Sequence, residues 1–315
     1  MPVAIEEIPC TSAEEFLKIF DRDNPIWADS MNFWVFRGHS DDASYKLIPA
    51  ALRAVPHEAE LGNTHNPVKG IQATNEKQIE AELQRLQEFF WAVDSQGLEV
   101  PGDSSFLRTP AGWRQLRKSI QESGWPPDGL LPLLALAQHY GVPTRLLDWS
   151  DRPLVAAFFA ARSAAEKPSG KPLSVWALDI DWVINVAFPD VRPARKIRKM
   201  SVYVVTAPRA TNPNLHAQGG VFTTENLVKS DFPKKVAVSS VNAMVQKKWK
   251  AKKYIRPVMA HVTLPGGEAN KLLRLLNQVQ INSATIYPGY QGVAKSLQER
   301  TYWDKKERTL YWLKP

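Results

Sequence analysis

Apolar residues spaced three and four positions apart predict most of the helices of this chain. Residues 76–93 carry Ile79, Leu83 and Leu86 along one face of a helix. A capping box at residues 11–15 predicts the start of a short helix. Similar apolar faces predict further helices at residues 113–120, 130–140, 153–166, 268–279 and 291–300.

Strands are predicted where Val, Tyr and Ile accumulate between turn residues. An early strand at 33–36 ends at Arg37 and Gly38, and later strands are predicted at 174–180, 202–206, 236–241, 254–264 and 284–287. Helices dominate the first half of the chain and strands the second, which predicts an α+β fold with a helical N-terminal half rather than alternating βαβ units. Without a repeat or a linker, we expect one domain over 1–315, with a core at about 25–300 and a helical or loop insertion at 53–128.

The composition is that of a soluble globular protein with an excess of positive charge. Apolar residues make up 44% and charged residues 23% of the chain, and no apolar run reaches membrane-spanning length. The single cysteine, Cys10, excludes an intramolecular disulfide and a cysteine zinc site, and the N-terminus lacks the pattern of a signal peptide. We therefore expect a cytoplasmic protein with no membrane contact and no metal. The net charge of +8 favours polyanionic partners.

Two basic runs concentrate part of this charge. Residues 192–199 carry five cations and no acid, and residues 247–256 carry six cations interleaved with two aromatic residues. Such runs suit a nucleic-acid backbone with a base stacked on an aromatic ring. The nucleic-acid candidates are Arg195, Lys196, Arg198, Lys247, Lys248, Trp249, Lys250, Lys252 and Lys253. A solvated face, or a surface that docks an acidic protein, is the alternative interpretation of each run.

Residues 138–150, QHYGVPTRLLDWS, gather more special residues than a core segment needs. A glycine and a proline end one apolar helix, and polar groups follow in a loop, where functional groups are commonly presented. Arg145 and Asp148 are predicted to form an internal ion pair that braces the turn. Ser150 is predicted to cap the next helix, whose N-terminus would also be a ready anion site.

Arg37 is the main candidate outside that segment. It follows an apolar strand and precedes Gly38, which is expected to leave the guanidinium uncovered, and an arginine there suits bidentate binding of a phosphate or carboxylate. The alternative is a structural pair with Asp148. The chain lacks a phosphate loop, a Gly-x-Ser-x-Gly elbow and a His-Glu-x-x-His motif, which argues against a P-loop ATPase and a zinc hydrolase.

Four segments resemble the signatures of the FRG domain, a bacterial and phage family named after a Phe-Arg-Gly tripeptide. Phe36-Arg37-Gly38 is that tripeptide, and residues 138–150 resemble the QHYG-PTRLLDW signature. Residues 212–222 and 286–292 are similar to two later elements, and the four segments follow the family's order. Asn214 stands where the family usually has an arginine. By this resemblance the chain is identified as an FRG-domain protein.

The order of these segments also resembles, more distantly, that of ADP-ribosyltransferases of the Arg-Ser-Glu type. By this resemblance Arg37 would hold the phosphates of NAD and Ser150 would support the nicotinamide ribose. Gln218 would take the position of the catalytic glutamate, with Glu225 as a nearby acid that could replace it. The implied core is α+β, with mixed or antiparallel strands. The residues expected to hold NAD are Arg37, Gly38, His39, His139, Thr144, Arg145, Asp148, Trp149, Ser150 and Phe222.

The resemblances imply an enzyme that binds NAD as substrate, needs no metal, and transfers ADP-ribose with release of nicotinamide. Together with the basic runs, they favour a nucleic-acid acceptor, RNA above all, in a toxin or phage-defence effector that an antitoxin protein would neutralise. A protein acceptor and plain hydrolysis of NAD stay open. The alternative is a catalytically silent module that senses a nucleotide or nucleic acid, which the uncharged Gln218 favours. A nuclease is a third alternative.

Overall fold

A seven-stranded sheet forms the centre of the part of the chain that the computed structural model describes, residues 2–27, 33–42, 46–53, 71–187, 201–206 and 212–303. The strands are β1 Ile5–Pro9, β2 Trp34–His39, β3 Leu147–Ser150, β4 Leu173–Asp179, β5 Ser201–Val205, β6 Gly220–Asn226 and β7 Met259–Leu264. They lie in the order β1-β7-β4-β2-β3-β6-β5, with β1 and β7 parallel and every other neighbouring pair antiparallel. The predicted combination of helices with a mixed, mostly antiparallel sheet is confirmed.

Helices surround this sheet. In the described ranges they are α1 Ala13–Ile19, α2 Asn75–Ser95, α3 Pro110–Ser123, α4 Leu131–His139, α5 Pro153–Glu166, α6 Ile180–Trp182, α7 Pro213–Gln218, α8 Val241–Lys252, α9 Ala269–Gln278, α10 Ser283–Ile286 and α11 Tyr290–Glu299. The hydroxyl groups of Ser12, Thr74 and Thr109 accept hydrogen bonds from the third backbone amide of α1, α2 and α3 respectively. Of the helices that the structure describes, none combines the length and the apolar character needed to cross a bilayer.

The helices cover both faces of the sheet. Phe36 of β2 packs with residues of α1, α5 and α9, whereas its neighbour Val35 packs on the opposite face with residues of α8. Residues that pair across neighbouring strands point to the same face. Phe36 pairs with Ser150 and Ser150 pairs with Gly220, so all three belong to the face that carries α5. Two residues further along β6, Phe222 packs on that same face against α2, α3 and α4. One face therefore carries two helical groups side by side.

Several predictions from the hydrophobic pattern are confirmed, and the predictions of two strands are wrong. The predicted helices fall on α1, α2, α3, α4, α5, α9 and α11. Residues 236–241 form no strand, because the segment runs along the surface, with Val238 41% exposed, until Val241 begins α8. Residues 284–287 belong mostly to α10, which a reciprocal capping box of Asn282 and Thr285 closes into a helical turn.

The predicted insertion at 53–128 contains α2 and α3. Ile79 of α2 and Trp113 of α3 share a buried cluster with Phe222 of the sheet. These two helices therefore belong to the same core as β6. Residues 54–70 of the predicted insertion lie outside the described residues.

Candidate functional site

A cleft with a volume of about 670 Å³ opens on the face of the sheet that carries α5, between α5 and the C-terminal end of α4. All four segments that resemble the FRG signatures contribute to its lining, including residues 36–40, residues 138–142 and residues 148–150. The other two segments contribute through Gln218 and its neighbours and through Tyr287. Segments that are distant in the sequence thus meet at one place, and the volume is in the range of a ligand-binding site.

The sheet is split beside this cleft, between β2 and β3. Phe36 and Ser150 form the one backbone pair described between these strands, whereas β3 pairs with β6 along all four of its residues. Arg37 bridges the gap, because its Nη1 donates to the backbone oxygen of Asp148 at 2.7 Å and to Oδ2 of Asp148 at 2.9 Å. The guanidinium thereby replaces missing hydrogen bonds of the sheet, and Arg37 and Asp148 form the structural pair that was the alternative to ligand binding.

A chain of hydrogen bonds holds the Asp148 carboxylate in place. Nε2 of Gln138 donates to Oδ1 of Asp148 at 2.5 Å, and the Thr144 hydroxyl donates to Oε1 of Gln138 at 2.8 Å. The same hydroxyl accepts from the Leu146 amide at 3.1 Å, which fixes its orientation. Both oxygens of the Asp148 carboxylate are engaged, yet this side chain is still 46% exposed and lines the cleft.

Two histidines line the cleft as uncharged side chains. Nε2 of His39 accepts from Nε of Arg37 at 3.1 Å, so the proton of its neutral ring lies on Nδ1. Burial, aided by the Arg37 charge, lowers the pKa of His39 to about 3. Burial also lowers the pKa of His139, against the opposing influence of Asp148. Both rings therefore offer hydrogen-bonding groups rather than positive charge at neutral pH.

Gly38 is required by helix α5. A β-carbon at this position would lie 2.0 Å from the backbone oxygen of Ala156 and 2.9 Å from the backbone nitrogen of Ala160. The missing side chain lets β2 approach the backbone of α5 directly. The expectation that Gly38 serves to uncover Arg37 is therefore replaced by a packing role, which fixes β2 and hence Arg37 against α5.

Ser150 and Gln218 are joined to each other. The Ser150 hydroxyl donates to the backbone oxygen of Gln218 at 2.7 Å and accepts from the Arg152 amide at 3.0 Å. The prediction that Ser150 caps the next helix is wrong, because α5 begins at Pro153 and Arg152 holds the capping position. Gln218 ends α7, and Gly219, in the left-handed conformation, turns the chain into β6. The side chains of Ser150 and Gln218 both line the cleft.

Arg145 lies in the buried core and does not line the cleft. Its Nε and Nη2 donate to the two carboxylate oxygens of Glu82 at 3.1 and 3.0 Å. Glu82 also accepts from Nε1 of Trp125 at 2.8 Å. The predicted ion pair between Arg145 and Asp148 is wrong, since each has a different partner. Arg145 ties this part of the chain to α2, and direct contact with a ligand in the cleft does not fit its position.

Glu225 lies towards the far end of β6 from Gly220, where it pairs with Val202 of β5. By strand alternation its side chain falls on the face opposite to that of Phe222. It is half-buried, and burial raises its pKa. The described residues that line the cleft do not include it. The fold therefore does not bring Glu225 to Gln218.

The second basic run begins in the second half of helix α8 and continues beyond its end at Lys252, and α8 covers the sheet face opposite to α5. Trp249 is 8% exposed and its Nε1 donates to the backbone oxygen of Arg256 at 2.8 Å, so this ring anchors the helix and is not available to stack on a base. Most of the cations are exposed, and Lys248 is half-buried. The exposed ones are Lys247, Lys250, Lys252 and Lys253. The candidates of the first run lie outside the described residues: Arg195, Lys196 and Arg198.

The cleft carries more positive than negative charge. Among its described lining residues, Arg37, Arg53 and Lys295 are cationic and Asp148 is acidic. This surplus suits an anionic ligand. The described ranges contain no group of three or more His, Cys, Asp or Glu side chains that could hold a metal ion.

Aromatic rings complete the lining. Tyr140 is 60% exposed, and Tyr287 is half-buried in edge contact with Phe159 at a centroid distance of 6.3 Å. Trp149 and Phe222 are buried rings at the border of the cleft. Such rings offer flat apolar surfaces to a base or a pyridine ring.

Sequence reasoning missed several residues of this site. Gln138 and Tyr287 lie inside segments that resemble the FRG signatures, so their position in those segments was a usable signal. Arg53 and Lys295 lie at the cleft with no recognisable pattern around them.

The family model of the FRG domain matches residues 32–169. This match supports the FRG family for the chain. The matched range runs from β2 to just beyond α5, and it includes residues 36–40, 138–142 and 148–150, which line the cleft. No curated protein and no solved structure matches the chain.

Proposed function

We propose that this protein binds NAD in the cleft and transfers its ADP-ribose with release of nicotinamide. One observation carries the proposal: Arg37, Ser150 and Gln218, the three positions that resemble the Arg-Ser-Glu pattern, line the same cleft although 181 positions separate the first from the last (218 − 37). The resemblance was drawn from segment order alone, and their meeting around one cleft is independent support for it.

Arg37 is the residue that we propose for the diphosphate of NAD. Its hydrogen bonds to the described residues use Nε and Nη1, and Nη2 makes none with them, so that nitrogen offers two further donors at the edge of the cleft. Arg53 and Lys295 add two cations to the same lining. Arginine binds phosphate oxygens with a fixed planar geometry, and the two other cations strengthen the attraction.

The rings of the cleft suit the two flat bases of NAD. Tyr140 is 60% exposed at the end of α4, and Tyr287 and Phe159 are in edge contact within the same lining. A base that lies on these rings buries apolar surface without needing charge. We assign Ser150 a positioning role, because its hydroxyl holds the backbone of Gln218 rather than projecting alone into the cleft.

The acceptor that we propose is a nucleic acid, with RNA favoured. Exposed lysines of α8 supply a cationic surface of the kind that binds a phosphate backbone. The resemblance to the FRG family adds the setting of a toxin or phage-defence effector with a neutralising protein partner. We propose a cytoplasmic location for it, where both NAD and RNA are at hand.

The test is the release of nicotinamide from NAD by purified protein, with and without total cellular RNA. Arg37→Ala is compared with Arg108→Ala, whose arginine is exposed and paired with Asp94 and Asp103. We expect wild type and Arg108→Ala to release nicotinamide faster with RNA, and Arg37→Ala to bind NAD roughly 10- to 100-fold more weakly. Release without an effect of RNA would favour a protein acceptor or hydrolysis. No release with any acceptor would overturn the proposal.

A silent sensor is the second candidate. Gln218 brings no charge to the position of the catalytic glutamate, and the Ser150 hydroxyl is committed to internal hydrogen bonds. A sensor would bind NAD through Arg37 without turnover. Binding of NAD without nicotinamide release, measured by calorimetry on the same preparations, would identify it.

A further inference from the structure

We propose that Asp148 is the catalytic carboxylate of the cleft, and that substrate binding frees it from Arg37. This inference rests on the proposed function. In that reaction the bond between the ribose C1′ and the nicotinamide nitrogen breaks, and its electron pair leaves with nicotinamide. The acceptor oxygen or nitrogen then bonds to C1′ and gives up its proton to solvent. Positive charge develops on the ribose in between, and a fixed negative charge beside it lowers the barrier.

The lining of the cleft singles out one group for this role. Asp148 is the acidic residue among the described lining residues. Gln218 is uncharged, and Glu225 lies towards the other end of β6. Asp148 pairs with Phe222 in the sheet and is two residues from Ser150, so its carboxylate belongs to the face on which the cleft opens.

The carboxylate is also held in one orientation. Gln138 donates to one of its oxygens at 2.5 Å, and Thr144 fixes Gln138 in turn at 2.8 Å. A group held by its neighbours loses little entropy when the charge on the ribose develops, which is what preorganised electrostatic stabilisation requires. Nearly half of the side chain remains open to a ligand, at 46% exposure.

Arg37 neutralises this charge in the structure described here, with Nη1 and Oδ2 at 2.9 Å. The phosphates of NAD compete with Asp148 for that guanidinium, since both are anions that bind its planar donors. As Arg37 turns towards the phosphates, Asp148 keeps its hydrogen bond to Gln138 and its negative charge is left facing the ribose. The ion pair thus supplies the phosphate-binding group, Arg37, and the catalytic charge, Asp148. The Asp148 carboxylate becomes available when phosphate occupies Arg37.

The experiment separates binding from turnover in three variants, Asp148→Asn, Gln138→Met and Glu225→Gln, each checked for folding by its thermal unfolding midpoint. We expect Asp148→Asn to lower kcat for nicotinamide release at least about 100-fold. Its Kd for NAD, from calorimetry, should be unchanged or tighter, because Arg37 no longer leaves a charged partner. Gln138→Met keeps the charge but not its orientation, and we expect about a tenfold lower kcat with little change in Kd. Glu225→Gln should match wild type.

The variants would behave differently if Asp148 had only a structural role. Asp148→Asn that turns over within tenfold of wild type, or that loses NAD binding together with activity, would overturn the role of Asp148. Wild type that releases no nicotinamide would overturn the proposed function itself. A turnover defect in Glu225→Gln equal to that of Asp148→Asn would remove the distinction on which the assignment depends.

Discussion

The backbone oxygen of Ala156 lies 2.0 Å from the position that a β-carbon on Gly38 would occupy. Neither atom can move at little cost, because the oxygen belongs to the backbone of α5 and the β-carbon would be bonded directly to the backbone of β2. We expect Gly38→Ala to lower the free energy of unfolding by about 1–3 kcal/mol or more. Urea unfolding measures this.

Gly267→Ala is the matched control for that substitution. A β-carbon on Gly267 meets nothing within 4 Å. The control should stay within about 0.5 kcal/mol of wild type. Equal stability of the two variants would show that β2 and α5 are not held at the distance described.

The buried pair of Arg145 and Glu82 predicts a large loss of stability when one partner is removed. Arg145→Ala leaves the Glu82 charge in the core without its main partner, and we expect the free energy of unfolding to fall by about 3–5 kcal/mol. The exposed pair of Arg117 and Glu80, at 2.9 Å, is the comparison. Arg117→Ala should cost no more than about 1 kcal/mol. Similar losses in the two variants would contradict the burial of Arg145.

His39 predicts a loss of stability towards acid. Its folded pKa of about 3 lies below its ordinary value of 6.5, so its contribution is complete above pH 6.5 and is lost as the pH falls from there towards 3. In His39→Gln the amide oxygen can accept from Arg37 but does not titrate. Urea unfolding between pH 7 and pH 4 should therefore show a flatter pH dependence in the variant, and an unchanged slope would argue against a buried neutral His39.

His261 predicts the opposite sign. Burial by itself would lower its pKa, but hydrogen bonds to Asp42 at 2.7 Å and Glu7 at 2.6 Å raise it above the ordinary value of 6.5. Its contribution is complete below pH 6.5 and is lost as the pH rises through the raised folded pKa. We expect the stability of wild type to decline above pH 6.5 and His261→Gln to lack this decline. A variant that declines as wild type does would contradict the ion pairs.

Helix α8 predicts nucleic-acid binding that depends on salt and not on sequence. Lys247 and Lys250 are exposed, whereas Trp249 is buried. Reversing both lysines to glutamate should weaken RNA binding and lower the slope of log K against log salt by about 1.4 for single-stranded RNA, at about 0.7 for each phosphate that the protein no longer neutralises. Fluorescence anisotropy with two RNAs of unrelated sequence measures both quantities. Reversal of Lys118, a lysine of α3, is the control, and an equal effect there would dismiss α8 as the binding surface.

The sequence predicts the helices well where apolar residues repeat over several turns, as in α2 with Ile79 and Leu83. It does not indicate β1, because that strand has five residues and is completed by its parallel partner β7. The buried face of α8 consists of Val241, Val245 and Trp249, one residue for each turn, and lysines and other polar residues lie between the last two, so that its helical period is hard to recognise.

The sequence predicts which segments line the candidate site, but it does not predict which of their side chains form ion pairs with each other. Residues 36–38, 138–142 and 148–150 line the cleft, as expected, whereas Thr144 and Arg145 do not. Which acid meets which arginine depends on the direction of the side chains in the folded sheet. Arg145 and Asp148 are three positions apart, yet Arg145 meets α2 and Asp148 meets β2. Spacing along the chain carries no information on partners that come from elsewhere in the fold.

The one backbone pair described between β2 and β3, Phe36 with Ser150, divides the sheet into a four-stranded half, β1-β7-β4-β2, and a three-stranded half, β3-β6-β5. Beyond that pair, Arg37 of β2 joins the two halves through its hydrogen bonds to Asp148 of β3. A ligand that draws this guanidinium away breaks its hydrogen bonds to Asp148 and so weakens the contact between the two halves of the sheet. The measured affinity of the ligand then includes the free-energy cost of that loss. We therefore expect a ligand in the cleft to loosen the sheet between β2 and β3, and faster amide hydrogen exchange along β3 would report this change.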